Sequence, residues 1–404
     1  MPSIRKILLL TGYFMPTLGY IENGWAKTLV KLGIETKVVA RPDCHPKFIP
    51  SKLDKSQYRP GKWEIDGYEL ERVPLYLKFR SMAWPINIKQ SINDFKSELV
   101  ISFGIGQLLP NAGVKYKHEL GYKLICIFGD NPLQRPISPT SGKLTLKGQL
   151  IDLAYTHLKK PLYYKAIKTA DLIGYTKPIT YEILKECSSK HFYDLNEKII
   201  SIPLGYDSDI FYYSSHIRER KRSQLTYHKD DFVLVYVSKI EPRKQIKLLL
   251  DSVIKVMNVY SNLKLILVGF LNDRYDRIIK EYILKSGFRE RFTCLPLLPR
   301  TELNEIYNAA DLGVWHSLPT TTIIEALGTG LTVIVPDDLS FSTQYLPSSI
   351  CQRFNAYDYN ELTDILIASV KNVGALPDRI SLMSQSSMRD YNNIVKKTIN
   401  RLLC

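Results

Sequence analysis

Long apolar runs are missing from this 404-residue sequence. None approaches the roughly 18–20 residues that a helix needs to span a bilayer. The amino terminus, Met1 to Gly12, also lacks the small-residue cleavage site of a signal peptide, so we interpret it as the first strand of the fold. These absences argue against a membrane-spanning or exported class, and we expect a cytoplasmic protein.

Cysteine is scarce, and none of the six cysteines forms a Cys-x-x-Cys pair. That distribution argues against a zinc ribbon or a disulfide scaffold and is typical of a reducing cytoplasm. The segment Thr11 to Asn23 contains Gly12 and Gly19 but no Gly-x-Gly-x-x-Gly fingerprint, which disfavours a nicotinamide cofactor.

Acidic residues are few relative to basic ones, 40 against 55, which gives a formal net charge of +15. Such an excess favours anionic partners, namely nucleic acid, acidic lipid surfaces or phosphorylated substrates. A general lysine bias of the source genome would explain it equally well. The basic residues are spread along the chain without a nucleic-acid recognition motif, so we do not expect nucleic acid as a partner.

What the sequence does contain is a regular alternation of short apolar runs and longer amphipathic ones. Phe232–Val237, for example, predicts a buried strand, and Gln245–Asn258 follows it with an apolar stripe at helical spacing. Strand–helix alternation indicates an α/β fold with parallel sheets and right-handed crossovers.

The chain length favours two domains rather than one core. The polar, mixed-charge segment Gly205–Lys229 separates two series of predicted strands. We therefore predict two doubly wound domains, residues 1–204 and 205–383, and a closing helix over 384–404 that packs back on the N-terminal domain. Ligands would bind in a cleft between the carboxyl ends of the two sheets.

The segment Asp311–Gly330 predicts a strand, a small polar loop and a helix that starts near Thr320. A helix N-terminus presents unpaired N–H groups and partial positive charge, which suits a diphosphate. Thr320, Thr321 and Thr322 add hydroxyl groups there, and Glu325 is placed to accept hydrogen bonds from a ribose diol. The alternative is a capped helix with an ordinary acidic residue in its first turn.

Lys239 and Lys244 follow the predicted strand Phe232–Val237 directly. Two lysines five residues apart, at a strand end and a helix start, are able to close over a pyrophosphate from both sides. The alternative is that each lysine is simply solvated on a loop.

Four landmarks in this order and spacing resemble the retaining glycosyltransferases of family 4, which have the GT-B fold of two Rossmann-like domains. The resemblance covers nearly the whole chain. It rests on Pro16 with Gly19-Tyr20, on Gly205-Tyr206-Asp207 with Phe211, on Ser238-Lys239-Ile240 with Lys244-Gln245, and on Ser317 through Glu325-Ala-Leu-Gly-Thr-Gly330-Leu-Thr-Val333.

The resemblance implies a role for individual residues. Lys239 and Lys244 stand where the family neutralises the donor diphosphate, and Glu325 stands where it binds the ribose. Gly19 would lie under the phosphates. Asp130 falls where many relatives carry a histidine that faces the donor sugar and the reaction centre, so it is the implied catalytic residue.

The sequence also departs from the family pattern. Ser317 replaces the first glutamate of the family pair, the residue that touches the transferred sugar, and Ser317 is predicted to bind the donor in its place. Pro319, in the loop before Thr320, has no N–H to donate. These departures leave open a protein that binds the donor without catalysing transfer.

The function implied by the resemblance is a hexosyltransferase-like enzyme that uses a nucleotide-diphosphate sugar and retains the anomeric configuration. Its acceptor would be a glycan or a lipid-linked molecule, and no cofactor or metal ion is expected. Asp207-Ser208-Asp209 is similar to a metal-binding Asp-x-Asp, but a turn is the preferred interpretation. The alternatives are a nucleotide-sugar epimerase of the same fold and a basic surface-binding protein.

A further segment, Lys143 to Lys168, holds six lysines and one acidic residue among apolar and tyrosine residues. Such a stretch is able to lie on an anionic membrane surface. This predicts a peripheral membrane association at the inner face of a membrane. The alternative is an ordinary helix with a solvated lysine face.

Overall fold

The computed structural model of the chain describes residues 4–44, 55–79, 82–129, 149–150, 153, 155–188, 196–317, 320–338, 346–372 and 376–403. The chain divides into two compact units. The first unit comprises Met1–Pro203 and Ile394–Cys404, and the second comprises Leu204–Asn393. Among the described residues, no helix combines the length and the apolar character needed to cross a membrane.

The first unit is built on parallel strands with helices between them. Its strands are β1 (Lys6–Leu10), β2 (Glu35–Ala40), β3 (Gly61–Ile65), β4 (Tyr68–Arg72), β5 (Leu75–Phe79), β6 (Met82–Pro85), β7 (Leu99–Phe103), β8 (Lys123–Phe128), β9 (Leu172–Tyr175) and β10 (Ile199–Ser201). Its helices are α1 (Ile21–Lys31), α2 (Ile88–Phe95), α3 (Leu108–Leu120), α4 (Lys160–Thr169) and α5 (Pro178–Ser188).

Eight of these strands form one sheet in the order β10-β9-β8-β7-β1-β2-β4-β3. Neighbouring strands run parallel except for the antiparallel pair of β3 and β4. The central strands β1 and β7 are apolar apart from Lys6 and Ser102 and are almost entirely buried, as expected for strands that are covered on both faces. β5 and β6 pair only with each other, as a separate hairpin.

The second unit contains β11 (Phe232–Val237), β12 (Leu263–Phe270), β13 (Phe292–Pro296), β14 (Leu312–Val314), β15 (Val333–Pro336) and β16 (Cys351–Phe354). Its helices are α6 (Ser215–Gln224), α7 (Ile246–Met257), α8 (Arg274–Lys285), α9 (Arg300–Ala309), α10 (Thr322–Gly328), α11 (Tyr359–Lys371) and α12 (Arg379–Ser386). The six strands form a parallel sheet in the order β13-β12-β11-β14-β15-β16. A last helix, α13 (Tyr391–Leu403), closes the described chain.

The two units use the same device to align neighbouring strands. An aspartate just before β9 or β14 accepts a hydrogen bond from a main-chain N–H of the adjacent strand. Asp171 Oδ2 lies 2.7 Å from Leu124 N, and Asp311 Oδ2 lies 2.7 Å from Val233 N. Each aspartate also returns its own N–H to the carbonyl of the same residue. This clamp holds β8 against β9 and β11 against β14.

The predicted α/β class with parallel sheets is confirmed. β11 has the bounds that the apolar run predicted, Phe232–Val237. β16 was not predicted, because Cys351-Gln-Arg-Phe354 is not a continuous apolar run. The helix that was expected to close the chain is present as α13, but it begins at Tyr391 instead of Ser384, because α12 ends at Ser386.

We expect Asp311→Ala to lower the free energy of unfolding of the second unit by about 3 kcal/mol. The carboxylate is largely buried and accepts from Arg218 Nη2 at 2.5 Å and Arg222 Nη1 at 3.2 Å, so its removal leaves two arginines without their anionic partner. Denaturant unfolding monitored by circular dichroism measures the change.

Glu305→Ala is the matched control, because Glu305 binds Arg220 and Lys221 at a more exposed position. Its loss is expected to cost about 1 kcal/mol or less. Equal decreases in the free energy of unfolding of the two variants would contradict the proposed contribution of Asp311 to stability.

Candidate functional site

The carboxyl end of β11 is covered by the loop that follows β14. Trp315 Nε1 donates to the main-chain oxygen of Val237 at 2.9 Å, and Thr322 Oγ1 donates to the same oxygen at 2.7 Å. The loop after β14 and the start of α10 are therefore held at the last residue of β11.

A second pair of hydrogen bonds ties the same loop to the segment that follows β11. Ser317 Oγ donates to the carbonyl of Lys244 at 3.0 Å, and His316 Nε2 lies 3.2 Å from the carbonyl of Gln245. Gln245 has a left-handed backbone, φ 50°, just before α7 begins. The structure thus brings together Lys244 and Ser317, which the sequence predicted to be donor-binding from separate motifs.

Lys244 is a buried cation, with 5% of the residue exposed. Its pKa is lowered from 10.5 to about 8, mainly by burial and in smaller part by the neighbouring charge of Arg243, while the charge of Glu241 acts in the opposite direction. Its charged form would gain from an anionic ligand, because desolvation is the main force against that form. Lys239, at the end of β11, is half-buried.

Close backbone packing supports the segment that carries Lys239. Gly269, near the end of β12, has φ +125°, and a Cβ there would stand 1.9 Å from the Ser238 carbonyl oxygen. Only glycine fits this approach. Ile240 N donates to Gly269 O at 3.0 Å, which holds the segment against β12.

Glu325, in the first turn of α10, lies 97% buried and forms an ion pair. Arg300 Nε donates to Glu325 Oε1 at 3.0 Å. Burial raises the pKa of the carboxyl, and Arg300 opposes that rise. Arg300 also lies over the ring of Phe211, 5.0 Å from its centroid. The carboxylate predicted to bind a ribose is therefore held by a cation from α9.

The three threonines at the start of α10 differ in what they contact. α10 begins at Thr322, two residues later than expected. The Thr322 hydroxyl is engaged by Val237 O, by Trp315 Nε1 and by the Thr320 hydroxyl at 3.2 Å. Thr321 is the residue before the helix, and its side chain makes no capping hydrogen bond. A donor contact from these threonines stays a prediction.

Two predicted residues belong to the first unit. Gly19 is half-buried in the loop between β1 and α1. Asn23 shapes this loop, since its Nδ2 donates to the carbonyls of Met15 and Leu18. Asp130 lies outside the described residues. The roles assigned to Gly19 and Asp130 stay predictions.

Arg300 and His316 are site residues that the sequence did not reveal as such. His316 is buried between the rings of Tyr236 and Tyr359, and burial lowers its pKa to about 4, so it is neutral near pH 7. Arg300 opens α9 directly after β13, and this position at the carboxyl end of a parallel strand was the available signal.

Within the described residues, no group of three or more His, Cys, Asp or Glu side chains is arranged to hold a metal ion. Asp207, in the Asp-x-Asp sequence, accepts a hydrogen bond from the main-chain N–H of Asp209 at 3.2 Å through its side chain. This contact belongs to a turn.

Parts of the chain are similar to known proteins. Residues 217–346, which contain β11 to β15 and both loops, match the family of glycosyl transferases group 1. An uncharacterized glycosyltransferase of Methanocaldococcus jannaschii is 26% identical over 298 residues, 70% of this chain and 68% of that protein. The alpha-monoglucosyldiacylglycerol synthase of Acholeplasma laidlawii is 27% identical over 144 residues, 34% of this chain and 35% of the synthase.

Solved structures show the fold over the whole chain. The sucrose-phosphate synthase from Thermosynechococcus elongatus matches with a TM-score of 0.66, 15% identity and 99% of each chain covered. HepE of Anabaena, solved in complex with UDP and glucose, matches with a TM-score of 0.65 and 15% identity, over 99% of this chain and 100% of that chain. The chain therefore has the GT-B fold, and the match of residues 217–346 to the glycosyl transferases group 1 together with the named relatives supports a glycosyltransferase.

Proposed function

We propose that this protein transfers a sugar from a nucleotide-diphosphate donor to a glycan or lipid-linked acceptor, with retention of the anomeric configuration and without a metal ion. The observation that carries the proposal is the pair of loops joined at the end of β11. One loop supplies Lys239 and Lys244, and the other supplies Ser317 and leads into α10.

The charge of this region suits the leaving group. A departing nucleoside diphosphate gains negative charge in the transition state, and fixed cations in a water-poor site stabilise that charge. Lys244 is a buried cation on a backbone anchored by Ser317, and Lys239 lies at the adjacent strand end. In this proposal the two lysines do the work that a metal ion does in other transferases.

Glu325 is proposed to bind the ribose hydroxyls of the donor. Its Oε1 accepts a hydrogen bond from Arg300, which orients the buried carboxylate and opposes the rise of its pKa on burial. Gly19, Thr320, Thr321 and Thr322 are proposed to contribute further donor contacts. Asp130 is proposed to act at the reaction centre, the position that the family 4 resemblance implies for it.

The relatives add support for the substrate classes. The solved Anabaena HepE complexes contain UDP, glucose and UDP-glucose, which supports a nucleotide-sugar donor for the shared fold. The name of the Acholeplasma synthase describes a glucosylated diacylglycerol, which supports a lipid-linked acceptor.

A panel of nucleotide sugars incubated with the protein tests the function. Slow release of free nucleoside diphosphate from one donor, together with thermal stabilisation by the same donor, is the expected result. Interconversion of sugar epimers without release would establish an epimerase instead. The anomeric configuration of the transferred sugar, measured by NMR, tests retention.

Lys244→Ala and Lys239→Ala are each expected to weaken UDP binding by roughly ten- to 150-fold, because each removes a charge-assisted contact worth about 1.5–3 kcal/mol. Isothermal titration calorimetry measures the affinity. Lys247→Ala is the matched control, since Lys247 is an exposed lysine of α7 and should leave the affinity unchanged. Full UDP affinity in both test variants would refute the assignment.

UDP affinity should also depend on pH through Lys244. With its pKa near 8, Lys244 loses its proton above pH 8 in the unliganded protein. Binding of the diphosphate favours the protonated form, so above pH 8 it is coupled to the uptake of a proton. Affinity is therefore expected to fall by up to about tenfold per pH unit above pH 8. Lys244→Arg keeps its charge and should flatten this profile. An identical profile in the variant would show that another group titrates.

Glu325→Gln should reduce the affinity for UDP by about tenfold, because the charged acceptor for the ribose hydroxyls is lost. The same substitution should change the affinity for inorganic pyrophosphate, which has no ribose, only slightly. Competition binding measures both ligands, and Glu302→Gln, an exposed change on α9, serves as the control. Equal losses for UDP and pyrophosphate would exclude the ribose role.

A further inference from the structure

The net charge of the protein is confined to one unit. Residues 1–203 and 394–404 hold 33 of the 55 Lys and Arg residues and 18 of the 40 Asp and Glu residues, a difference of +15. Residues 204–393 hold 22 of each and are formally neutral. The first unit therefore carries the whole excess of positive charge, although the proposed diphosphate-binding lysines belong to the second.

The same unit exposes an aromatic and aliphatic hairpin. β5 and β6 pair only with each other, and Leu77 is directly opposite Trp84. Both side chains are exposed, by 55% and 43%, on one face of the ribbon. The register shifts between Leu75 and Leu77, so Tyr76 is an extra, bulged residue, and it is 84% exposed.

The opposite side of the hairpin is anchored to the unit. Ala83, next to Trp84, is buried, and β6 packs against α3. Ile86 N donates to Pro74 O at 2.8 Å, which closes the base of the hairpin. The hairpin that carries the exposed apolar side chains is thus packed against α3 of the first unit.

A second exposed apolar and basic segment packs against the same helix. α4 contacts α3, and the turn before α4 exposes Leu158 beside Lys159 and Lys160. These residues belong to the stretch from Lys143 to Lys168, of which Lys143 and Lys147 lie outside the described residues.

We propose that the exposed face of the β5–β6 hairpin, formed by Tyr76, Leu77, Trp84 and the adjacent Ile86, docks the first unit on an anionic phospholipid surface. Tryptophan and tyrosine prefer the boundary between lipid and water, where an apolar ring and a polar edge are both satisfied. The positive charge of the unit adds attraction to acidic headgroups. The same charge opposes a second copy of the unit on this face, because two such units repel each other.

This inference does not depend on the proposed transferase activity, because vesicle binding needs no donor. The purified full chain is sedimented with vesicles of phosphatidylcholine alone and of phosphatidylcholine mixed with phosphatidylglycerol. We expect binding to the mixed vesicles, weaker binding at high salt, and little binding to the neutral ones.

The double variant Tyr76→Ser/Leu77→Ser is expected to reduce binding to the mixed vesicles by about tenfold. The matched control is Tyr357→Ser/Leu284→Ser in the neutral second unit, where the same residue types are 95% and 64% exposed. This control should bind as the unaltered protein does. Thermal unfolding and UDP binding show whether each variant is folded.

A spectroscopic readout locates the contact. Among the four tryptophans, Trp25 and Trp315 are buried and Trp63 is half-buried, so a blue shift of emission on vesicle binding should come mainly from Trp84. The shift should disappear in Trp84→Phe, with binding largely kept.

Three results would overturn the proposal. The first is equal binding to neutral and anionic vesicles, or binding to neither. The second is a hairpin variant that binds vesicles as well as its control does. The third is a hairpin-dependent dimer or RNA complex without vesicle binding, which would assign this face to a different partner.

Discussion

The main-chain carbonyl of Val237 is the point on which the candidate site of the second unit depends. A strand end buried under a loop leaves its last carbonyl without a sheet partner, and an unpaired buried acceptor costs about 1–3 kcal/mol. Trp315 and Thr322 satisfy this oxygen with the indole N–H and a hydroxyl. The same bonds determine where the loop after β14 lies and where α10 begins. Satisfying one backbone acceptor thus positions the second proposed donor-binding segment against the first.

Burial disfavours the charged forms of Lys244 and Glu325, so a polar ligand that contacts these groups would stabilise their charges. The main-chain carbonyl of Lys244 accepts a hydrogen bond from Ser317, and desolvation is the main cause that lowers the pKa of the Lys244 side chain to about 8. Burial raises the pKa of Glu325, and the ion pair with Arg300 opposes that rise. A ligand that brings two phosphates to the lysine and hydroxyl groups to the carboxylate would replace the lost hydration of both. The burial that disfavours these charges in the unliganded protein is therefore the reason that the proposed ligand would be bound there.

The two units differ in net charge, and the two interactions proposed for them differ in the charge they need. The second unit is neutral overall, and its proposed recognition of a donor relies on a few buried ions at strand ends. The first unit carries the entire excess of +15 and exposes the β5–β6 hairpin. Long-range attraction to a surface needs net charge, whereas local recognition needs only fixed and desolvated groups. The separation allows each property to change without disturbing the other.

The sequence by itself determined the α/β class, the bounds of buried strands such as Phe232–Val237, and the position of Lys239 and Lys244 after a strand end. These follow from periodicity and from short-range order along the chain. Only the tertiary structure decided the partners: Arg300 for Glu325, 25 residues away, and Ser317 for the carbonyl of Lys244, 73 residues away. It also decided which apolar side chains of the hairpin stay exposed. Local patterns specify elements, but contacts between distant residues and the burial of each side chain depend on how those elements pack.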